Sequence, residues 1–321
     1  MTSSAPAKII LCGEHAVVYG QPALAVPFDS LKATVSASAA IPGTGLEIIA
    51  HDINQSVRLT PNERNGLAYA AQVVLRVLNQ PVPDVTLEIR STIPIGGGLG
   101  SGAAVTAALM RELAAWLGHT FDTDRLNALV YEIETIYHGT PSGIDNTVIV
   151  YERPVYFIRG TAPITLSLKI ALTLLIADSG VPGSTREAVA DVRRQYEADP
   201  AQVQPLLNKI GVIVDDVRAG LERGDISLEI IGQRLNDNHT ILRELGVSSP
   251  ELECLVTAAR EAGALGAKLS GGGRGGNAIA LVSESTASAV ANALRQAGAA
   301  HVWRTELMPH SGMTVSQFRL D

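Results

Sequence analysis

The chain has 321 residues, 46% of them apolar and 18% charged, with a formal net charge of -7. That length supports one large domain or two of ordinary size around a substantial core, and an aromatic content of 4% leaves Ala, Val, Ile and Leu to build it. The acidic balance argues against non-specific binding to nucleic acid or an anionic membrane, while a small anionic substrate in a locally basic cleft stays open.

In chain order, AKIILC at 7–12 and residues 22–38 read as strands around a polar turn at Gly13–Gly20. VTLEIRST at 85–92 alternates apolar and polar residues and reads as a strand. Residues 91–110 carry no charge, but Pro94 and five glycines make a poor membrane span, and a strand, loop and helix explain the stretch better. Ala103–Leu117 predicts a helix that is apolar on most sides and therefore buried. Asp122 and Asp124 open another, running to His138 with Leu126, Leu129, Val130, Ile133, Ile136 and Tyr137 on the helical period. Beyond a loop at Gly139–Asn146, short strands are expected at 147–151 and 154–158, then a buried strand within 168–180. The pattern from about 183 to 265 is mostly helical. A strand at 278–283, a helix at 284–297 and a final strand near 313–318 close the chain. Strands and helices mix in both halves, which indicates two α+β domains joined near 160–175.

Cys12 and Cys254 sit in unrelated contexts and read as reduced, buried thiols. The first residues lack a basic segment followed by a long apolar run, so the expected location is cytoplasmic. Neither C-x-x-C nor H-E-x-x-H occurs, which disfavours a zinc site built by the protein alone.

The most informative stretch is PIGGGLGSGAAV, residues 94–105. No Lys follows its glycines, which excludes a P-loop. Gly98, Gly100 and Ala103 fit a dinucleotide fingerprint on paper, but the acidic residues at the right distance, Asp122 and Asp124, open a helix instead of ending a second strand. Two readings remain from the loop alone: a plain turn before a core helix, or an anion site at a helix N-terminus.

Two further segments decide between them. PAKIILCGEHAVVYG at 6–20 and AKLSGGGRGGNAIALV at 267–282, together with the glycine loop, resemble in order and spacing the three motifs of the GHMP small-molecule kinases. Within that superfamily the GEHAVVYG turn, EIETIYHGTPSGIDN at 132–146 and SGVPGSTRE at 179–187 look most like the mevalonate kinases. The resemblance implies ATP- and Mg2+-dependent transfer of a γ-phosphoryl group to the 5-hydroxyl of mevalonate. It implies an α+β fold with an N-terminal domain over 1–165, like the second domain of ribosomal protein S5, and a ferredoxin-like C-terminal domain over 166–321. The active site would lie in the cleft between them, and a homodimer is a family-level expectation. A sibling kinase acting on phosphomevalonate, another mevalonate hydroxyl or a sugar stays open, as does a fold relative that binds without turnover.

The resemblance also distributes roles. Asp145, in PSGID, would face the acceptor hydroxyl as general base or orienter, with the Lys8 ammonium beside it. Gly96, Gly97, Gly98, Leu99, Gly100, Ser101, Gly102 and Ala103 would hold the ATP phosphates. Glu134, eleven positions before Asp145, would bind Mg2+ with help from Ser101, while Glu132 is read as solvated. Glu14, His15, Ser142, Thr185 and Gly272 would line the acceptor site. Two positions depart from the family: Gly102 stands where a second serine is common, and Arg274 stands where residues are small. The Arg274 guanidinium is left between reaching the phosphates or substrate and folding away to solvent.

Overall fold

The structure, a computed structural model, describes residues 2–60, 65–138 and 141–309. The first part of the chain runs β1 (Thr2–Cys12), β2 (Ala23–Ala39), β3 (Leu46–Ala50), β4 (Gln55–Arg58), α1 (Gly66–Leu78) and β5 (Val85–Ser91). It continues through α2 (Ser101–Trp116), α3 (Thr123–His138), α4 (Ile144–Tyr151), β6 (Val155–Phe157) and β7 (Ile164–Thr165). The remainder is β8 (Leu172–Asp178), α5 (Thr185–Ala198), α6 (Pro200–Arg223), α7 (Leu228–Glu244), α8 (Pro250–Glu261), β9 (Gly266–Ser270), β10 (Asn277–Val282), α9 (Ala287–Gln296) and β11 (His301–Leu307).

Strand β2 organises the first sheet. One of its edges pairs antiparallel with β1 from Leu24 to Ser36. The other edge is shared, with Ala23–Ala25 on β6 and Ala33–Ala39 on β5. The sheet order is β4-β3-β5-β2-β6-β7, with β1 on β2 and the parallel β3–β5 pair as the exception to antiparallel pairing. Helix α2 packs on β1 and β2 and is covered in turn by α1, α3 and α4. Its alanines at 103, 104, 107, 108 and 114 are buried, and such small side chains let a helix approach a sheet closely. The second sheet, β11-β8-β10-β9, is antiparallel throughout. Four of the helices that accompany it begin at side-chain or proline signals typical of helix starts: Ser184, Asp199, Ser227 and Ser249 each accept an amide of the first turn, and Pro200 and Pro250 open α6 and α8.

Two expectations change, and one falls outside the described residues. Residues 147–151, a β-branched run expected as a strand, are helical in α4; Val148, Ile149 and Val150 are buried on several sides, so burial overrides strand propensity, and a short apolar run cannot distinguish the two. The last strand within the described residues is β11, while the strand expected near 313–318 and the first two residues of the 139–146 loop lie outside them. Cys12 is buried as expected, and burial pushes its thiol pKa up, but Cys254 is exposed. Among the described residues no helix is long and apolar enough to cross a membrane.

Helix α7 meets β9 backbone to backbone. A methyl on Gly232 would overlap the Leu265 carbonyl, and one on Gly266 would overlap the Gly232 carbonyl. Gly232→Ala is expected to cost about 1–3 kcal/mol, as overpacking typically does. A lower thermal midpoint at unchanged secondary-structure content would be the readout, and an unchanged midpoint would contradict this packing.

Candidate active site

Lys8 lies in β1, next to the glycine loop. Its backbone N–H donates to the Leu99 carbonyl at 3.0 Å, and its buried side chain runs under Gly100. That glycine has φ of 78° and caps α2; a Cβ there would lie 2.6 Å from Ile149 Cδ1 and 3.0 Å from Lys8 Cγ. The site therefore requires glycine for both conformation and space. The Gly97 carbonyl accepts from the Asn277 side-chain amide on β10. In a trans peptide the C=O of one residue and the N–H of the next point opposite ways. Turning the carbonyls of 97 and 99 onto protein donors therefore turns the amides of Gly98 and Gly100 away from them. Residues 101–103 add the free first-turn amides of a sixteen-residue helix. The amides of Gly98, Gly100, Ser101, Gly102 and Ala103 are thus placed to suit an anion, while Gly96, Gly97 and the buried Leu99 complete the loop that carries them.

Asp145 occupies the first turn of α4, whose cap is Gly143 in left-handed conformation. Its Oδ1 lies 2.8 Å from Lys8 Nζ, pairing a half-exposed carboxylate with a buried ammonium. Glu134, on α3, is 6% exposed. Burial first, and then the charge of Asp145, push its pKa up to about 7, with the Lys8 charge offsetting them only in part. A Cβ on Gly102 would lie 3.3 Å from Glu134 Oε1, so the glycine at this departure brings the helix start and the carboxylate together. Glu132 is not merely solvated, because Tyr69 and Arg76 donate to it at 3.1 and 2.8 Å, tying α3 to α1.

The turn after β1 carries the other candidates. Glu14 was expected to line the acceptor site; its carboxylate is instead 1% exposed and paired with Lys268 of β9, which is 0% exposed. His15, at φ 61°, places Nε2 3.0 Å from the Gly272 carbonyl. A carbonyl only accepts, so Nε2 carries the proton and Nδ1 is an acceptor. Nδ1 is buried and has no partner among the described residues. Burial lowers the ring's pKa to about 4, keeping it neutral at ordinary pH. Gly272 packs on Thr185, the first residue of α5; a Cβ would lie 2.5 Å from its Oγ1. Ser142 sits at the entry to α4, where its Oγ accepts from Ile144 N–H at 3.4 Å. Lys8, Asp145, Glu134 and the glycine loop are thus in one cluster, with His15, Gly272 and Thr185 in a second cluster beside it.

Three residues that sequence reasoning passed over link these clusters. Ser270 Oγ accepts from Ile10 N–H at 3.1 Å and donates to Ile10 O at 2.9 Å, fastening β9 to β1. Lys268 neutralises Glu14, and Asn277 holds Gly97. A lysine inside an otherwise buried strand was the signal available for the first of these pairs, since a buried charge needs a partner. The partly exposed Arg274 side chain pairs with Asp191 of α5 and donates to the Gly246 carbonyl.

Comparison with known proteins identifies the family. Residues 66–153 match the family model of the GHMP kinases N terminal domain, and 217–300 match that of the GHMP kinases C terminal. The chain is 37% identical to a mevalonate kinase of Thermococcus sibiricus, covering 92% of this chain and 93% of the relative. It is 35% identical to one from Pyrococcus horikoshii, covering 87% and 88%. The fold resembles the crystal structure of L. major mevalonate kinase in complex with R-mevalonate, with a TM-score of 0.82, 29% identity and 97% of each chain covered. The Methanococcus jannaschii mevalonate kinase structure gives a TM-score of 0.81 at 25% identity, covering 95% of this chain and 97% of that one. The chain belongs to the GHMP kinases, a family of small-molecule kinases, and within them to the mevalonate kinases.

Proposed function

We propose that the chain transfers the γ-phosphoryl group of ATP to the 5-hydroxyl of mevalonate, giving 5-phosphomevalonate. The observation that carries this reading is the 2.8 Å contact between Lys8 Nζ and Asp145 Oδ1 beside the glycine loop. The acceptor is the one named for its relatives. Phosphoryl transfer asks for positioned phosphates, neutralised charge and an oriented hydroxyl more than for covalent chemistry, and each of these has a group in the site.

The amides of residues 96–103 hold the ATP phosphates at the N-terminus of α2, where the helix dipole favours negative charge. Asp145 orients the acceptor hydroxyl and takes its proton as the oxygen attacks. The Lys8 ammonium stabilises the negative charge on that oxygen. The neutral His15 offers Nδ1 to a second hydroxyl of the acceptor, with Thr185 and Gly272 lining the same side and Ser142 at the entry to the helix that carries Asp145. Glu14 acts behind them by fixing the turn that carries His15.

Glu134 fits a divalent cation, because its buried carboxylate faces the charge of Asp145 and Lys8 does not cancel both. With Ser101, it would hold Mg2+, which typically binds through one or two carboxylates plus nucleotide phosphates and supplies neutralisation of the phosphate charge.

An assay of ATP consumption against mevalonate, phosphomevalonate, homoserine and galactose tests the acceptor; turnover is expected with mevalonate, and turnover with another member alone would replace it. Asp145→Asn should lower kcat by roughly 10^2 to 10^4-fold with the KM for ATP within a few-fold, and a variant keeping most of its kcat would remove Asp145 from its role. Glu134 sets a pH dependence. Its carboxylate must be ionised to hold a cation, so kcat/KM for the nucleotide should fall as pH drops through about 7, and more Mg2+ should move that limb to lower pH. Persistence of the limb in Glu134→Gln would show that another group causes it. The same shift opposes folding at neutral pH. The folded chain keeps this proton up to about pH 7 while the unfolded chain releases it near 4.5, so the contribution of this group falls as pH rises between those values.

A further inference from the structure

Arg274 interrupts a turn of five glycines, Gly271 to Gly273 and Gly275 to Gly276, and adopts a φ of 58°. A side-chain-bearing residue is held in left-handed backbone where its surroundings over-determine it. Here its backbone N–H donates to the Val247 carbonyl at 2.8 Å. Nε and Nη2 both donate to the Gly246 carbonyl at 3.3 Å, and Nη1 pairs with Asp191 on α5. Asp191 is also paired with Arg194, so its carboxylate lies between two guanidinium groups.

The segment leading into α5 lies on the same glycine turn. Ser179 N–H donates to Gly276 O at 2.9 Å, and Gly276 N–H to Val181 O at 2.8 Å. A Cβ on Gly183 would lie 3.1 Å from Gly273 O and 3.2 Å from the carbonyl carbon of Gly275. At the far end Thr185 packs on Gly272, whose carbonyl accepts from His15. Residues 179–183 are thus fixed by backbone contacts. The body of α5 buries Ala188 and Val192, packs on α6 and donates from Gln195 to the Leu245 carbonyl, and Asp191 supplies its side-chain tie to the glycine turn.

We propose that Arg274 is a positioning residue: through Asp191 it holds α5 on the third glycine turn, keeps Thr185 against Gly272, and so sets the wall of the acceptor site beside His15. The proposal rests on the assignment of that side of the cleft to the acceptor. Lys8, Asp145, Glu134 and the phosphate loop lie on other elements and do not depend on the pair. Loss of Arg274 therefore acts on acceptor binding and leaves phosphoryl transfer at saturation in place. The charge of Arg274 is also felt at His15, where it disfavours protonation and so supports the acceptor form of Nδ1.

Arg274→Gly is the informative variant, because glycine keeps the left-handed turn without strain and removes the guanidinium alone. Asp191→Asn removes the charge from the other end. Each variant is expected to raise the KM for mevalonate roughly 10-fold with kcat and the KM for ATP within twofold, and the double variant to match the singles, as for two residues acting through one contact. Hydrogen exchange on the chain without substrate should quicken at amides of 185–198 and stay unchanged in β8. Unchanged exchange in both variants, or equal losses for mevalonate and ATP, would overturn the proposal. Wild-type chain that fails to turn over mevalonate would instead overturn the acceptor assignment, and the exchange measurement would still report on the Arg274–Asp191 tie.

Discussion

The buried pair of Glu14 and Lys268 is the constraint on which the two halves of the molecule depend. Removing two charges from water is costly, and such a pair is weak evidence for net stability; breaking it is another matter, since a lone buried charge costs about 3–5 kcal/mol. Its value here is registration. Glu14 belongs to the turn after β1 and Lys268 to β9, so their contact fixes where the second sheet sits on the first. Two residues further along β9, the Ser270 hydroxyl grips both polar groups of Ile10. With these points set, His15 falls beside Gly272 and Asn277 falls on Gly97 without further adjustment.

The glycine loop is consequently held from two sides. β1 grips it at Leu99 through the backbone of Lys8, and β10 grips it at Gly97 through Asn277. The stem of Lys8 runs beneath Gly100 while its charged end reaches Asp145. One residue thus packs beneath the glycine loop and pairs with the Asp145 carboxylate. Among the polar atoms with no partner in the described protein, Glu14 Oε2 and His15 Nδ1 lie on the turn after β1 and Asn277 Oδ1 lies beside Gly97.

The fold class and the core elements were legible from local signals. The alternation of 85–92, the helical period of 126–133 and the glycines opening α2 reappear as β5, α3 and the loop with residues shifted by one or two at the ends. The helical state of 147–151 was hidden because its β-branched run is short and its environment, not its sequence, decides the matter. At the site, Lys8, Glu134 and Asp145 were legible only as parts of motifs, and their meeting depends on strand and helix packing that spacing does not encode. Lys268, Ser270 and Asn277 escaped notice for a related reason: each acts on a partner 180 or more positions away. The destination of Arg274 needed Asp191 and Gly246 to be seen on either side of it.

That distance has a consequence for how the molecule comes into being. A growing chain emerges from its N-terminus and domains tend to fold in that order. Lys8 can meet Asp145 once the first half has been made, yet Glu14 must wait for a residue 254 positions later and Ile10 for one 260 positions later. Until then the early half carries a carboxylate destined for burial without its counter-charge and a strand lacking its fastening. The Lys8–Asp145 pair is therefore encoded early, while the contacts that seat the second half of the chain against it become available only once that half has been made.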